Sequence, residues 1–338
     1  LSNQTNLGLV ICPDSSSNDY EYHKQLNNDG IKVLVLDHHD ADHVSEDALI
    51  INNQLSHYPN KELSGAGVTW QFCRYIDKVM HINNAEQYRD LVALGNDADM
   101  MSLRSIETKH LISTGLARPR NPFIVTMAQK NEFSLKGKLT PIGVAFYIAP
   151  FVNAMTRSGT IEEKQLLFES MLKYKAFDVL PSTKRGHTLG DTETLVEQAV
   201  RVATNVKNRQ TKAQDELMEK VETKIEKYNL LDHKVLLFLM DPGEIDRNIA
   251  GLVANKIMAK YQRPVCILTK QENKIQGMKI KEDLPWDEYE EVCYISYAGS
   301  ARGCDKTGIH DFKSICLQTG VCNYAEGHPG AFGLSLNE

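Results

Sequence analysis

No apolar run in the 338 residues approaches the roughly 18 needed to cross a bilayer, so no membrane-spanning helix is expected. The chain does not open on a secretory signal pattern. There is no C-x-x-C pair, and the seven cysteines are odd in number. That argues against a disulfide-framed fold and for reduced thiols in a cytoplasmic setting. An excess of positive charge is also missing: the formal net charge is −6. This gives no support to blanket adhesion to nucleic acid, while leaving room for a local basic track. No internal repeat or low-complexity tract is visible. What remains is an ordinary globular composition, 42% hydrophobic and 24% charged, in a chain long enough for two cores.

Against that background the stretch Val33-Leu34-Val35-Leu36-Asp37-His38-His39 stands out. Its β-branched and aliphatic residues predict a buried strand that empties into an acid and two imidazoles. Adjacent histidines cannot share one face of a strand, so the chain must break into a loop there. In an open parallel sheet, ligands gather outside the carboxyl ends of strands. Two more apolar runs lead into acids. Gly8-Leu9-Val10-Ile11-Cys12 precedes Pro13-Asp14, and Leu91-Val92-Ala93-Leu94-Gly95 precedes Asn96-Asp97-Ala98-Asp99. Each is read as a strand ending in a carboxylate. One Asp at a strand end commonly caps the next helix. Three converging cases, one with two histidines, predict a site for Mn²⁺ or a similar divalent cation.

Between these runs, Asp19 to Asn28 predicts a helix and Asp29-Gly30 a turn, completing a βαβ unit. Leu49-Ile50-Ile51 reads as a further short strand. Ser64-Gly65-Ala66-Gly67 opens a helix whose small residues serve either approach to a phosphate or packing on the sheet, and both readings stand. Asn153 and Arg157, at i and i+4, share one helix face and offer an amide and a guanidinium suited to phosphate oxygens. From Asp191 to Tyr228 the chain has no Pro and no internal Gly. It predicts one helix roughly 55 Å long that spans two domains.

Beyond it, Val235 to Met240, Ile249 to Ile257 and Arg263 to Leu268 read as strand, helix and strand. Gly299-Ser300-Ala301-Arg302-Gly303 reads as a tight loop whose N–H groups form an anion nest, and Gly327-His328-Pro329-Gly330 sets one histidine among small residues. The expected architecture is α/β: two α/β domains with parallel-rich sheets, over 1–190 and 230–338, joined by a long helix over 191–229 with a cleft between them.

Taken in order, Asp14, Asp37-His38-His39 and Ala98-Asp99 resemble motifs two, three and four of the DHH phosphoesterase superfamily. Within it the chain most resembles the RecJ-type single-strand-specific exonucleases. Pro150-x-x-Asn153-Ala154-x-x-Arg157 resembles a RecJ-type segment whose Asn and Arg touch the nucleic-acid backbone. The Arg302 and His328 segments resemble the two phosphate-binding elements of DHHA1 domains, with Glu326 standing where the second usually has glycine.

The resemblance implies a metal-dependent phosphodiesterase that degrades single-stranded DNA from an end, in the RecJ-like 5′-to-3′ direction, in repair and recombination. It implies Mn²⁺ or Mg²⁺, two ions in a complete site, ligated by Asp14, His38 and Asp99. Asp37 and His39 join His38 in the catalytic set by orienting ligands or contacting phosphate. Asn153, Arg157, Ser300, Arg302, Gly327 and His328 are implied to bind substrate. The implied partners are single-stranded nucleic acid and replication or repair proteins, with no membrane.

The superfamily's first motif, Asp-x-Asp, does not precede Asp14, and the first residue is Leu1. An N-terminally incomplete or processed chain is therefore expected. Two other readings are a hydrolase of short oligonucleotides or cyclic dinucleotides, and a non-catalytic DHH-fold scaffold in a replication or repair assembly. Retention of Asp14, His38, His39 and Asp99 argues against the scaffold.

Overall fold

The structure is a computed structural model that describes residues 7–41, 43–275 and 292–337. Its contacts divide into two units, Leu1–Lys207 and Asn208–Glu338. The first opens with β1 (Leu9–Pro13), α1 (Tyr20–Asn28), β2 (Lys32–Asp37) and β3 (Leu49–Asn52). These strands form a parallel sheet in the order β1-β2-β3. Central β2 buries Val33 through Asp37, as a strand covered on both faces must. Edge strand β1 leaves Leu9 and Ile11 half exposed, at 49% and 52%.

After the sheet come α2 (Gly65–Met80), a 3₁₀ turn at Ala85–Tyr88 and α3 (Arg89–Ala98). The run from Leu91 to Gly95 is therefore helical, which corrects the strand expected there. Five apolar residues between polar flanks carry no period that separates a buried helix from a buried strand. The helices α4 (Ile106–Ala117), α5 (Pro122–Lys130), α6 (Glu132–Leu135), α7 (Pro141–Tyr147), α8 (Ala149–Ser158) and α9 (Ile161–Ser170) complete a helical layer. Its core gathers Ala93, Ile112, Phe123, Met127, Ile148 and Met155.

Two short strands, β4 (Val179–Pro181) and β5 (Thr192–Thr194), pair antiparallel before α10 (Leu195–Lys227) begins. The expected helix thus starts four residues later than read. Its predicted first residues are a strand because Glu193 is buried there and held by its neighbours. Arg201 Nη2 donates to its carboxylate at 2.6 Å, and the Thr183 N–H donates at 3.0 Å. Burial opposes the charge on Glu193, but Arg201, Thr183 and Gln198 outweigh it and hold the carboxyl down to about 2.

No break occurs near Gln214, and α10 runs unbroken for 33 residues. Val196, Ala199, Val200, Ala203 and Val206 of α10 enter the core of the first unit. Leu217, Val221 and Ile225, at helical spacing further on, enter the core of the second.

The second unit contains β6 (Leu236–Met240), α11 (Arg247–Tyr261), β7 (Val265–Ile275), β8 (Val292–Arg302), α12 (Phe312–Gln318), β9 (Cys322–His328) and β10 (Ala331–Asn337). Its sheet has the order β6-β7-β8-β10-β9. Among the described residues of this sheet, β6 and β7 pair parallel and the other pairs are antiparallel. The parallel-rich sheet expected here is thus a mixed one, because β9 and β10 form a tight hairpin rather than a crossover. Val265 and Ile267 face the α11 side, while Cys266, Leu268, Ala301, Phe332 and Leu334 pack with Phe312 of α12 on the other.

The anion-nest loop expected around Arg302 is also corrected, since Gly299 to Arg302 close strand β8. Gly299 marks a close strand approach instead: a Cβ there would lie 2.0 Å from the Ile267 carbonyl oxygen. Among the described residues, no helix is long and apolar enough to cross a membrane.

Candidate metal centre

Three elements deliver the polar cluster. Where β1 ends, Asp14 adopts a left-handed backbone with φ 60°, a conformation that Asp tolerates better than most residues. Its N–H donates to the Leu36 carbonyl at 2.9 Å, which ties it to the neighbouring strand end. There β2 ends at Asp37, whose carboxylate is buried. Oδ1 accepts the His38 N–H at 2.7 Å and His39 Nδ1 at 2.7 Å, and Oδ2 accepts the Ser17 N–H at 3.2 Å. Burial works against this charge, yet His39, Ser17 and His38 overcome it and hold the carboxyl well below the usual range. The same Asp37 bond fixes the His39 ring and raises its pKa.

His38 is 8% exposed. Its Nε2 lies 3.3 Å from Asp14 Oδ1 and 3.1 Å from Asp99 Oδ2. Burial disfavours the imidazolium, but the two carboxylates push its pKa up to about 9. A proton on this ring does electrostatically what a cation between the groups would do. Nε2 is fully buried and meets hydrogen-bond geometry to neither oxygen, so the contacts are convergent rather than aimed at one another. Potential ligand atoms of Asp14, His38 and His39 all lie within 4.8 Å of one another. Oxygens and imidazole nitrogens in this ratio are a donor set that Mn²⁺ accepts, so the residues fit a divalent cation.

Asp99 stands at the C-terminal cap of α3, not at a strand end. It bears on His38 but is not one of the three residues in the tight set. His39, read from sequence only as an orienting or phosphate-contacting residue, is one of the three. Its doubled histidine was the available signal.

The predicted substrate residues fall in two places. Asn153 and Arg157 share a face of α8, Asn153 partly buried and Arg157 exposed. No hydrogen bond or ion pair among the described residues ties their side chains to the Asp14 cluster. In the second sheet, Arg302 pairs with Ala331, which pairs with His328. Directly paired residues share a sheet face, so Arg302 and His328 stand on one face about 10 Å apart. Ser300 joins them through its pairing with Gly333. A Cβ on Gly251 of α11 would lie 2.5 Å from Arg302 Nη2 and 3.3 Å from Ser300 Oγ, so both side chains lie over that glycine. Gly251 was missed from sequence, where it read only as one small residue in an apolar helix.

Gly327 has φ +125°, and a Cβ there would lie 2.9 Å from the Ala331 carbonyl. Its part is to shape the hairpin that carries His328.

An Asp-His-His run thus closes a parallel strand, with an acid from the neighbouring strand β1 against its imidazole, and makes a candidate metal site. Residues 3–96 match the model of the DHH family, N-terminal domain. The putative SPbeta prophage-derived single-strand DNA-specific exonuclease YorK of Bacillus subtilis is 36% identical over 329 residues, which is 97% of this chain and 54% of YorK. The single-stranded-DNA-specific exonuclease RecJ of Thermus thermophilus is 24% identical over 272 residues, 80% of this chain and 36% of RecJ. A crystal structure of Thermus thermophilus RecJ in complex with Mn²⁺ superposes with a TM-score of 0.69 at 19% identity, covering 97% of this chain and 42% of that one. This likeness shows a RecJ-like fold. Residues 3–96 thus form a DHH-family N-terminal domain, and the chain is homologous to the RecJ-type and YorK exonucleases. It spans about half the length of YorK.

Proposed function

We propose that this chain is the core of a divalent-cation-dependent phosphodiesterase that removes nucleotides from an end of single-stranded DNA. The observation that carries this reading is the convergence of Asp14, His38 and His39 within 4.8 Å. The names of YorK and RecJ, and RecJ crystals holding Mn²⁺ or Mg²⁺, support it.

Asp14 and His38 would hold the cation, with His39 beside them and Asp99 bearing on His38. A divalent cation there supplies positive charge to the phosphate and makes water more acidic. Asp37 keeps the His39 ring in one orientation and stays ionised while doing so. Arg302, Ser300 and His328 offer a guanidinium, a hydroxyl and an imidazole to phosphate oxygens. Asn153 and Arg157 offer an amide and a second guanidinium on α8. These groups suit phosphates rather than base edges, so sequence preference should be weak.

The test is digestion of an end-labelled single-stranded twenty-mer, its duplex and a dinucleotide with Mn²⁺. Progressive shortening of the single strand, with the duplex spared, is expected. Equal cleavage of duplex and single strand, or preference for the dinucleotide, would move the assignment to a small-nucleotide phosphodiesterase.

A further inference from the structure

The Asp14 side chain does not stand in open space. A Cβ built on Gly65 would lie 2.2 Å from Asp14 Oδ1 and 2.6 Å from its Cβ and Cγ. No side chain fits there, so the carboxylate rests directly on the backbone of the first residue of α2. It therefore sits at the amino end of a 16-residue helix, where the helix dipole favours negative charge.

That helix end is itself clamped to α3. The Ser64 N–H donates to Asn96 Oδ1 at 2.9 Å. A Cβ on Gly95 would lie 2.6 Å from the Ala66 Cβ and 3.3 Å from Ser64 Oγ, so the two helices touch backbone to side chain. Asn96 is 0% exposed, and its Nδ2 has no hydrogen-bond partner among the described residues. A fully buried amide kept with one end unsatisfied is costly, and its retained bond is the one to Ser64. From the same turn of α3, the Asp99 N–H donates to the Gly95 carbonyl at 3.0 Å. One clasp thus fixes the wall behind Asp14 and lies within a turn of Asp99.

We propose that Gly65 and Asn96 are positioning residues for the Asp14 carboxylate: Gly65 leaves the space it occupies, and Asn96 locks the helix end that bounds that space to the helix carrying Asp99. This rests on reading Asp14 as a cation ligand. Partners that orient a ligand from outside typically change metal affinity about 10- to 100-fold when removed. A methyl group at Gly65 would instead push the ligand itself aside. It would not unfold the helix, since Ala is the better helix residue.

The experiment uses Gly65→Ala and Asn96→Ala with two readouts. In the metal-free protein, the His38 ring resonances report the position of Asp14, which lies 3.3 Å from Nε2. Mn²⁺ affinity is measured by electron paramagnetic resonance of the free ion. In Gly65→Ala the His38 resonances should shift and Mn²⁺ should bind at least tenfold more weakly, with the melting midpoint close to that of the parent. Asn96→Ala should move the same two readouts in the same direction, and it decides the matter if the first variant fails to fold. Folded variants with parental His38 resonances and parental Mn²⁺ affinity would overturn the proposal. A parent that cuts no single-stranded DNA, with His38 shifted in the variants, would sink the proposed activity and leave the positioning role standing.

Discussion

Asp14→Asn should weaken Mn²⁺ binding at least a hundredfold, about 2.8 kcal/mol, and take hydrolysis of single-stranded DNA with it. The substitution keeps the shape of the side chain and removes only its charge. A hard divalent cation draws most of its affinity from anionic oxygen, and an amide oxygen replaces that poorly. The change also takes away one of the two carboxylates against His38 Nε2. Because the Asp14 side chain is 59% exposed, the fold should not depend on it. The measurements are Mn²⁺ titration and a thermal melt. Loss of binding with an unchanged melt supports the assignment, whereas parental affinity would remove Asp14 from the ligand set.

The second large effect belongs to the other unit. Arg302→Ala should lower kcat/KM on a single-stranded oligonucleotide at least tenfold, about 1.4 kcal/mol of transition-state stabilisation. Arg302 shares a sheet face with His328 and lies over Gly251 beside Ser300. A planar guanidinium placed there is suited to two phosphate oxygens at once. Mn²⁺ affinity should stay at the parental value, since Arg302 belongs to a different cluster. Steady-state kinetics beside a metal titration separates the outcomes. If metal binding fell along with turnover, Arg302 would be acting on the structure rather than on the substrate.

How much of this was legible in the sequence varied with the kind of signal. Val33 to Leu36 read correctly as a buried strand because a β-branched run ending in polar residues has few other interpretations. Leu91 to Gly95 misled, because so short a run has no period, and the helix is set by its packing on α4 and on the start of α2. Arg302 was misplaced in a loop because Gly299 and Gly303 look like turn residues. Only the structure shows Gly299 making room for the backbone of β7. The start of α10 was read four residues early because Glu193 looks like a helix residue until its buried contact with Arg201 is seen.

At the site itself, the motif named Asp14, Asp37, His38, His39 and Asp99, but residue spacing does not say which atoms converge. The choice between phosphate approach and packing for Gly65 was undecidable from sequence. Its nearest neighbour, Asp14, is separated from it by fifty-one positions along the chain, and only folding brings the two together.

The central claim is that Asp14, His38 and His39 form one cation site. Anomalous diffraction from crystals of this protein soaked in Mn²⁺ tests it most directly. A Mn²⁺ peak within about 2.0–2.4 Å of an Asp14 oxygen and of His38 Nε2 is the result the account predicts. Well-ordered crystals in which Mn²⁺ occupies only other positions, with these side chains still facing one another around no ion, would contradict it.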